Sequence, residues 1–327
     1  MERRNCPIGE HTFQIGNITA EDSASVLELF SAAFGDQADE RWFHWKQCDA
    51  HTKAVGLWSA NGDLVAYYSG IPRTMLLQGQ QYKAAQIGDV MVAPKLRGIL
   101  SRKGPFYHVC SSFLQSLVGE NKTFSFAFGF PNDRAMALGE LLGFYRRTVE
   151  ILQLTWSTKT ARLMNGWRCQ QLNTRHKGFA KIAKSLWQAM RRDQGDYVLG
   201  ERDPAYLQWR FIDRPDKEYF FFCVRRWWGR PAALIVLTRN GENVELVDII
   251  AKRRFMPIAV EAARVEARRV GCDTLHAWAS PVVSELIGAE ANKAPSGATM
   301  PIDNMSPLSD KLHSEQWWWL GGDTDFR

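Results

Sequence analysis

The sequence predicts an α+β fold with a mixed α/β sheet, arranged as two domains of related design. Three observations favour this fold. Short runs of β-branched and aromatic residues alternate with segments of helical apolar spacing along most of the chain. The order of these strands and helices in residues 13–150 returns, without its central loop, in residues 203–287. The length of 327 residues suits about two domains.

The central element of the first half is the segment at residues 88–106, where a strand leads into a basic, glycine-containing loop and the start of a helix. Val90 and Val92 are strand formers, and Pro94 should end the strand because it cannot donate to a sheet ladder. Helical apolar spacing begins at Phe106. A helix N-terminus can bind a diphosphate through its unsatisfied N–H groups, although a plain surface loop explains this segment, taken alone, equally well.

The elements around this segment complete a sheet. Residues 13–18 predict a strand, and a capping box at Thr19 predicts the helix that follows. The Asn-Gly pair at residues 61–62 predicts a hairpin. After the helix that begins near the loop, we expect a strand at residues 123–128 and another helix that begins near Asn132.

This order of motifs, Val92-Ala-Pro-x-x-Arg-Gly98, a strand, Gly129-Phe-Pro-Asn132, a helix and Leu142-Gly-Phe144, resembles the core of the GNAT acyl-CoA N-acyltransferases. The resemblance implies that the loop holds the pyrophosphate of acetyl-CoA or another acyl-CoA, and that the pantetheine arm runs between two parallel strands that splay apart. The coenzyme positions that follow are Val90, Val92, Arg97, Gly98, Arg102, Lys103, Gly104 and Asn132. An N-cap of the next helix is the other role open to the asparagine.

Two departures from the family pattern concern the loop and proton transfer. The second small residue expected after Gly98 is replaced by Leu100, and a later basic unit ends at Gly104. Many GNAT enzymes carry a tyrosine general acid on the helix after the asparagine, near the position of Gly139 here. A glycine side chain cannot donate a proton.

The resemblance implies direct attack of an acceptor amine on the thioester of the acyl-CoA. Because amines are protonated near neutral pH, a carboxylate or an ordered water must act as general base. Backbone groups at residues 90–92 would stabilise the negative charge on the thioester oxygen. Asp89 is the first candidate base, and a structural carboxylate in the sheet is its alternative. Asp323, Asp325 and the terminal carboxylate of Arg327 are further candidates from the resemblance alone.

The acceptor is expected to be an amine of a small molecule or a sugar. Aromatic residues in the cluster before the hairpin and on its second strand are the predicted walls of the acceptor site: Trp42, Trp45, Tyr67 and Tyr68. The two tyrosines should face opposite sides of their strand. No histidine or cysteine spacing typical of a metal site occurs in the sequence.

A basic segment divides the chain, since residues 157–192 carry nine lysines and arginines and no acid. We expect an N-terminal GNAT domain at residues 1–156, a basic helical connector at 157–196 and a degenerate GNAT-like domain at 197–327, for which an unrelated α+β domain is the alternative. The connector can be a solvated helix or can lie on a membrane or bind an anionic partner. Residues 288–310 are predicted to be irregular.

Composition agrees with a globular protein that binds an anion. The net charge of +6 and the pI near 9.0 suit coenzyme A, and equally nucleic acid or acidic lipid. The six cysteines are scattered, and neither a signal peptide nor a long apolar run is visible, which predicts free thiols, no transmembrane segment and a cytoplasmic location. Two other functions stay open: a GNAT-derived binding module without catalysis, and a basic protein of lipid or nucleic-acid surfaces, of which nucleic acid is the less expected partner.

Overall fold

The structure is a computed structural model that describes residues 2–35, 38–47, 52–98, 101 and 104–325. Its strands are β1 (Arg4–Ile8), β2 (His11–Asn17), β3 (Lys53–Trp58), β4 (Leu64–Leu77), β5 (Gln80–Val92), β6 (Phe126–Gly129), β7 (Tyr145–Ser157), β8 (Trp167–Gln171), β9 (Val198–Gly200), β10 (Tyr219–Arg226), β11 (Pro231–Asn240), β12 (Asn243–Ala251), β13 (Thr274–Ala279), β14 (Asn292–Asp303) and β15 (Trp317–Trp318). Its α-helices are α1 (Ser23–Phe34), α2 (Glu40–Gln47), α3 (Pro105–Leu117), α4 (Asp133–Leu141), α5 (Lys177–Asp193), α6 (Pro204–Leu207), α7 (Met256–Arg269), α8 (Pro281–Ile287) and α9 (Ser309–Ser314).

The chain forms two compact units. Unit 1 comprises Met1–Thr74, Tyr82–Thr148 and Thr299–Ser314, and unit 2 comprises Met75–Gln81, Val149–Ala298 and Glu315–Arg327. This division differs from the predicted boundaries, because residues 299–314 belong to unit 1 and the predicted connector at 157–196 lies inside unit 2. The pairing of β14 with β6 joins segments far apart in the sequence, and local patterns carry no signal of such a pairing.

The strand pairs described in unit 1 include one parallel pair among antiparallel ones. Strands β1 to β4 are neighbours in chain order, and β5, β6 and β14 follow them. β5 and β6 run parallel, whereas β14 runs antiparallel to β6. Helix α3 packs on this sheet with Val109, Phe113 and Leu114 fully buried. Glycine is required at Gly70, where a Cβ would lie 2.5 Å from the Phe113 ring.

The sheet of unit 2 has the strand order β7, β13, β12, β11, β10, β8. Only β12 and β13 pair in parallel; the other pairs on this path are antiparallel. Helix α5 buries Phe179, Leu186 and Met190 in the core of this unit. Its apolar face is therefore covered, which removes the surface with which the predicted basic helix would have lain on a membrane.

The prediction of an irregular segment at residues 288–310 is wrong. β14 and α9 occupy most of it, and Met300 and Ile302 at the end of β14 are buried. The segment is rich in turn-forming residues, so local propensity does not predict a strand; pairing with other strands, such as that of Ile302 with Phe128 of β6, supports it. Among the described residues, no helix is long and apolar enough to cross a membrane.

Candidate active site

The two parallel strands of unit 1 separate at their carboxyl ends. Their pairing runs from Ala84 opposite Phe126 to Ile87 opposite Gly129. β5 continues to Val92, while the chain after Gly129 turns away into α4. Ser69 of β4 lies beside β5 at this point, where its hydroxyl donates a hydrogen bond to the carbonyl of Gly88 at 2.7 Å. The pairing of the two strands thus ends at Ile87 and Gly129, and β5 continues beyond it to Val92.

Asp89 lies where β5 leaves its parallel partner, and it has a left-handed backbone with φ of 52°. Such a conformation is strained for a residue with a side chain and marks a local irregularity in the strand. Its carboxylate accepts from Lys46 Nζ of α2, at 3.0 Å to one oxygen and 3.2 Å to the other. The Lys46 side chain is buried and that of Asp89 is 13% exposed. The predicted base is therefore ion-paired at the edge of solvent.

The predicted acceptor walls divide between two sides of the sheet. Trp42 faces the Asp89 side, since Lys46 Nζ lies 5.2 Å from the centroid of its ring. Tyr67 is on the same side, where its hydroxyl accepts from Gln47 Nε2 at 3.1 Å. Burial, with a further contribution from the Asp89 charge, raises the pKa of Tyr67 to about 12. Trp45, which lies on α2 with Trp42, is buried.

Tyr68 faces the opposite side, as its neighbour in a strand should. Its ring packs on Phe113 of α3 with a centroid distance of 5.2 Å, and its hydroxyl lies 2.9 Å from that of Tyr145. Burial beside the Cys110 thiol raises the pKa values of both tyrosines well above the usual range, so both phenols hold their protons at neutral pH.

Tyr145 and Lys46 are two residues of the candidate site that the sequence did not indicate. A Cβ at Gly139 would lie 1.9 Å from the Tyr145 ring, so the ring occupies the space of the side chain that this helix position lacks. The glycine and the tyrosine belong to α4 and β7, and neither helical nor strand periodicity predicts their contact. Lys46 was missed for a similar reason, because a lysine in an aromatic helix gives no sign of a distant partner.

Hydrogen bonds from Arg97 anchor the loop after β5. Arg97 donates from Nε to the carbonyl of Val92 at 2.9 Å and from Nη2 to the carbonyl of Ala33 at 2.6 Å. Gly98 has φ of 99°, a backbone that favours glycine. Gly104 is the N-cap of α3 and Pro105 its first residue, one position before the predicted start of helical spacing at Phe106. The predicted Arg102 and Lys103 lie outside the described residues.

The remaining predicted positions have these places. Val90 and Val92 are partly buried at the end of β5. Asn132 is the N-cap of α4, where its Oδ1 accepts from the Ala135 N–H at 3.0 Å. Asp323 is fully buried in unit 2 in an ion pair with Arg202, which argues against a role as base. Arg327 lies outside the described residues. The backbone carbonyl of Asp325 accepts a hydrogen bond from the Arg214 side chain.

The family comparison agrees with this geometry. Residues 14–145 match the family model of an acetyltransferase (GNAT) domain. The chain contains a GNAT domain. The predicted superfamily is thereby confirmed, and the match covers the strand, loop and helix that surround the site. No curated protein sequence is significantly similar to the chain.

Solved structures share the fold of this chain. A probable N-acyltransferase of unknown function from Enterococcus faecalis superposes with a TM-score of 0.66 and 14% identity, over 89% of this chain and 71% of that one. A GCN5-related N-acetyltransferase from Kribbella flavida gives 0.62 and 16% identity, over 89% and 70%. N-myristoyltransferase of Saccharomyces cerevisiae, solved with bound myristoyl-CoA, gives 0.57 and 12% identity, over 92% and 80%. The predicted fold class, a mixed sheet with GNAT-like architecture, is confirmed.

Proposed function

We propose that this GNAT chain binds acyl-CoA in unit 1 and transfers the acyl group to an amine of a small-molecule or sugar acceptor. The observation that carries the proposal is the parallel pair that opens after Ile87 and Gly129, followed by the Gly98 loop and the start of α3 at Gly104. The opening suits the pantetheine arm, and the N-terminus of α3 suits the diphosphate. Acetyl-CoA is the donor that we propose first, with no metal, in a cytoplasmic protein.

The residues present fit the coenzyme. The first N–H groups of α3 are free of side-chain capping at Gly104, which leaves room for an anion to satisfy them. The left-handed Gly98 brings the backbone, without a side chain, to the loop where a diphosphate would approach. Among the described residues, no group of metal-binding side chains is present near these elements or elsewhere.

Two carboxylate roles can be distinguished at Asp89. The Asp89 carboxylate already accepts a hydrogen bond from the Lys46 ammonium at 3.0 Å. We therefore infer that Asp89 positions the end of β5 through Lys46 and reaches the acceptor amine through water. Trp42, Trp45 and Tyr67, on the side of Lys46 or on its helix, are the proposed acceptor walls, whereas Tyr68 is assigned to the coenzyme side with α3.

Tyr145 is the proposed proton donor. Attack of the amine forms an N–C bond and breaks the C–S bond, and the departing coenzyme A thiolate needs a proton. The Tyr145 phenol is protonated at neutral pH, and its ring fills the place at Gly139 where the family tyrosine is expected. The attacking amine loses a proton, and the Tyr68 hydroxyl, 2.9 Å from that of Tyr145, can relay a proton to Tyr145, so that both phenols end protonated.

The test combines binding and turnover. Calorimetric titration with acetyl-CoA and free coenzyme A should show binding to the wild-type chain. Gly104→Glu should weaken it at least about tenfold, because the carboxylate repels the diphosphate, whereas the isosteric Gly104→Gln keeps the size without the charge. Tyr145→Phe should leave binding intact and slow thiol release in the presence of an amine panel. No binding by the wild-type protein would overturn the proposal.

An acyl-CoA binder without catalysis is the second candidate. It is favoured by the Lys46–Asp89 ion pair and by the absence of a side chain at Gly139. Coenzyme A binding that depends on the charge at residue 104, with no thiol release from any acceptor and no effect of Tyr145→Phe, would identify this function.

A further inference from the structure

Unit 2 carries an exposed apolar tip that acyl transfer does not use. Two turns form it, at residues 164–167 and 226–229, joined by a hydrogen bond from the Trp227 N–H to the carbonyl of Gly166 at 3.0 Å. Trp228 is 99% exposed, Met164 66% and Trp227 59%. These side chains, which we name the tryptophan tip, make up three of the seven exposed large hydrophobic residues in the described part of the chain. An aromatic side chain so exposed forgoes a large burial energy in the isolated protein.

Arginines lie directly behind the tip. Arg168 of β8 and Arg225 of β10 are directly opposite each other in the antiparallel pair, an arrangement that is unfavourable for like charges. The Nε atom of each is buried without a hydrogen-bond partner. Neither side chain forms an ion pair with any residue that the structure describes. An anion at this pair would relieve the repulsion and satisfy the unpaired donors.

The sequence around the tip strengthens the positive field. Residues 157–192 and 219–231 contain no acid, and the second segment supplies Arg226 and Arg230 beside the exposed tryptophans. Arg226 lies over the ring of Trp167, with its guanidinium carbon 5.4 Å from the ring centroid. The tip is therefore apolar at its end and uniformly basic at its base.

We propose that the tryptophan tip docks this protein on an anionic phospholipid surface. Tryptophan favours the headgroup level of a bilayer, and arginine favours the phosphates of anionic lipids. Met164 distinguishes lipid from single-stranded nucleic acid, because a thioether side chain can enter the acyl chains but offers no ring on which a base can stack. The apolar face of α5 is buried in the core, so the anchor is the tip and not the basic helix.

The test is co-sedimentation of the full chain with vesicles of phosphatidylcholine alone and with about one third phosphatidylserine, at physiological salt. We expect binding to the anionic vesicles only. Trp227→Ala/Trp228→Ala should weaken it at least about tenfold through lost apolar burial. Arg168→Gln/Arg225→Gln should weaken it roughly twenty-fivefold, at about fivefold per arginine near the surface. Lys181→Gln/Lys184→Gln on exposed α5 removes the same charge and should change binding less than about threefold.

The outcomes separate the alternatives. Exposed tryptophans can be replaced without loss of packing, and unchanged melting temperatures would show that the variants are folded. Equal weakening by the α5 control would show non-specific charge attraction and overturn the proposal. So would absence of vesicle binding, or binding of single-stranded DNA instead of vesicles with the same dependence on the tip. Binding that is lost in both tip variants and kept in the α5 variant would support it.

Discussion

The two units each contain a parallel strand pair that opens, and the two openings differ in what fills them. In unit 1, β5 and β6 separate after Ile87 and Gly129. In unit 2, β12 and β13 pair at Val244–Leu275 and Glu245–His276, and each strand then continues beside its other neighbour. An aspartate precedes the last residue of the longer strand by three positions in both, Asp89 before Val92 and Asp248 before Ala251.

The opening of unit 2 is occupied by the chain itself. Leu320 bridges to Ala279 at the end of β13, and the Ser280 N–H donates to the carbonyl of Trp319. On the other side, a Cβ at Gly322 would lie 3.2 Å from the carbonyl oxygen of Val247, so the segment approaches β12 closely. The segment at residues 319–322 therefore lies in the opening between β12 and β13.

The two aspartates, Asp89 and Asp248, differ in their burial and in their ion-pair partners. Asp89 is 13% exposed and pairs with a lysine, whereas Asp248 is fully buried and receives Arg202 Nε at 2.9 and 3.0 Å. Arg202 also forms a buried ion pair with Asp323 of the C-terminal segment, and this ion pair holds the segment in the opening. The same strand geometry thus serves a candidate binding site in one unit and a structural core in the other. What decides between them is the segment that enters the opening.

The largest effect should come from removing the buried cation. Arg202→Met leaves Asp248 and Asp323 buried without their partner and should lower the free energy of unfolding by about 3–5 kcal/mol. Lys46→Met leaves Asp89 able to reach water and should cost only about 1–2 kcal/mol. Urea denaturation followed by circular dichroism measures both. Arg202→Lys, which keeps the charge, should fall between them.

Equal losses in Arg202→Met and Lys46→Met would break the comparison. They would mean that the Asp89 site is as closed as that of Asp248, and an open coenzyme site in unit 1 would then lose its support.

The sequence predicted the elements of unit 1 better than the site. The Asn-Gly hairpin, the Thr19 cap and the loop between β5 and α3 follow from local propensity and turn chemistry, and the structure has them. Contacts between residues of different elements, such as Lys46 with Asp89 and Tyr145 with Gly139, carry no periodic signal. The C-terminal segment shows this most clearly: its glycines indicate a turn, and only the structure shows that they permit close approach to β12.

The second test concerns a buried carboxyl that forms no ion pair with any residue in the described ranges. Asp303 of unit 1 accepts from the N–H of Ala127 on β6 at 2.6 Å, and burial raises its pKa to about 6. An unfolded aspartate has a pKa of about 3.9. The folded protein therefore holds the proton more tightly, and the free energy of unfolding contributed by this group falls as the pH rises from about 4 to about 6.

Asp303→Asn removes this titration. Relative to wild type, the variant should gain about 2–3 kcal/mol in unfolding free energy between pH 4 and pH 7, since one pKa unit is about 1.4 kcal/mol. Any constant offset from the altered hydrogen bonds cancels in that difference. Urea denaturation at several pH values measures it. Parallel profiles for the two proteins would show that the carboxyl is already ionised at pH 4. Burial also raises the pKa of Asp248 to about 6. That carboxyl differs from Asp303 because the Arg202 guanidinium lies beside it and opposes the rise.

The smallest effect tests the loop that only unit 1 has. Gly98 and Gly241, the latter in the turn between β11 and β12, have φ of 99° and 61°, and a Cβ at either would meet open space. Each replacement by alanine should therefore cost roughly 1–2 kcal/mol of stability through the backbone alone. Gly98→Ala should in addition weaken coenzyme A binding severalfold, because the loop shifts to relieve its strain, whereas Gly241→Ala should leave the affinity unchanged. Calorimetric titration of both variants decides the point, and equal affinities would place the coenzyme away from the β5–α3 loop.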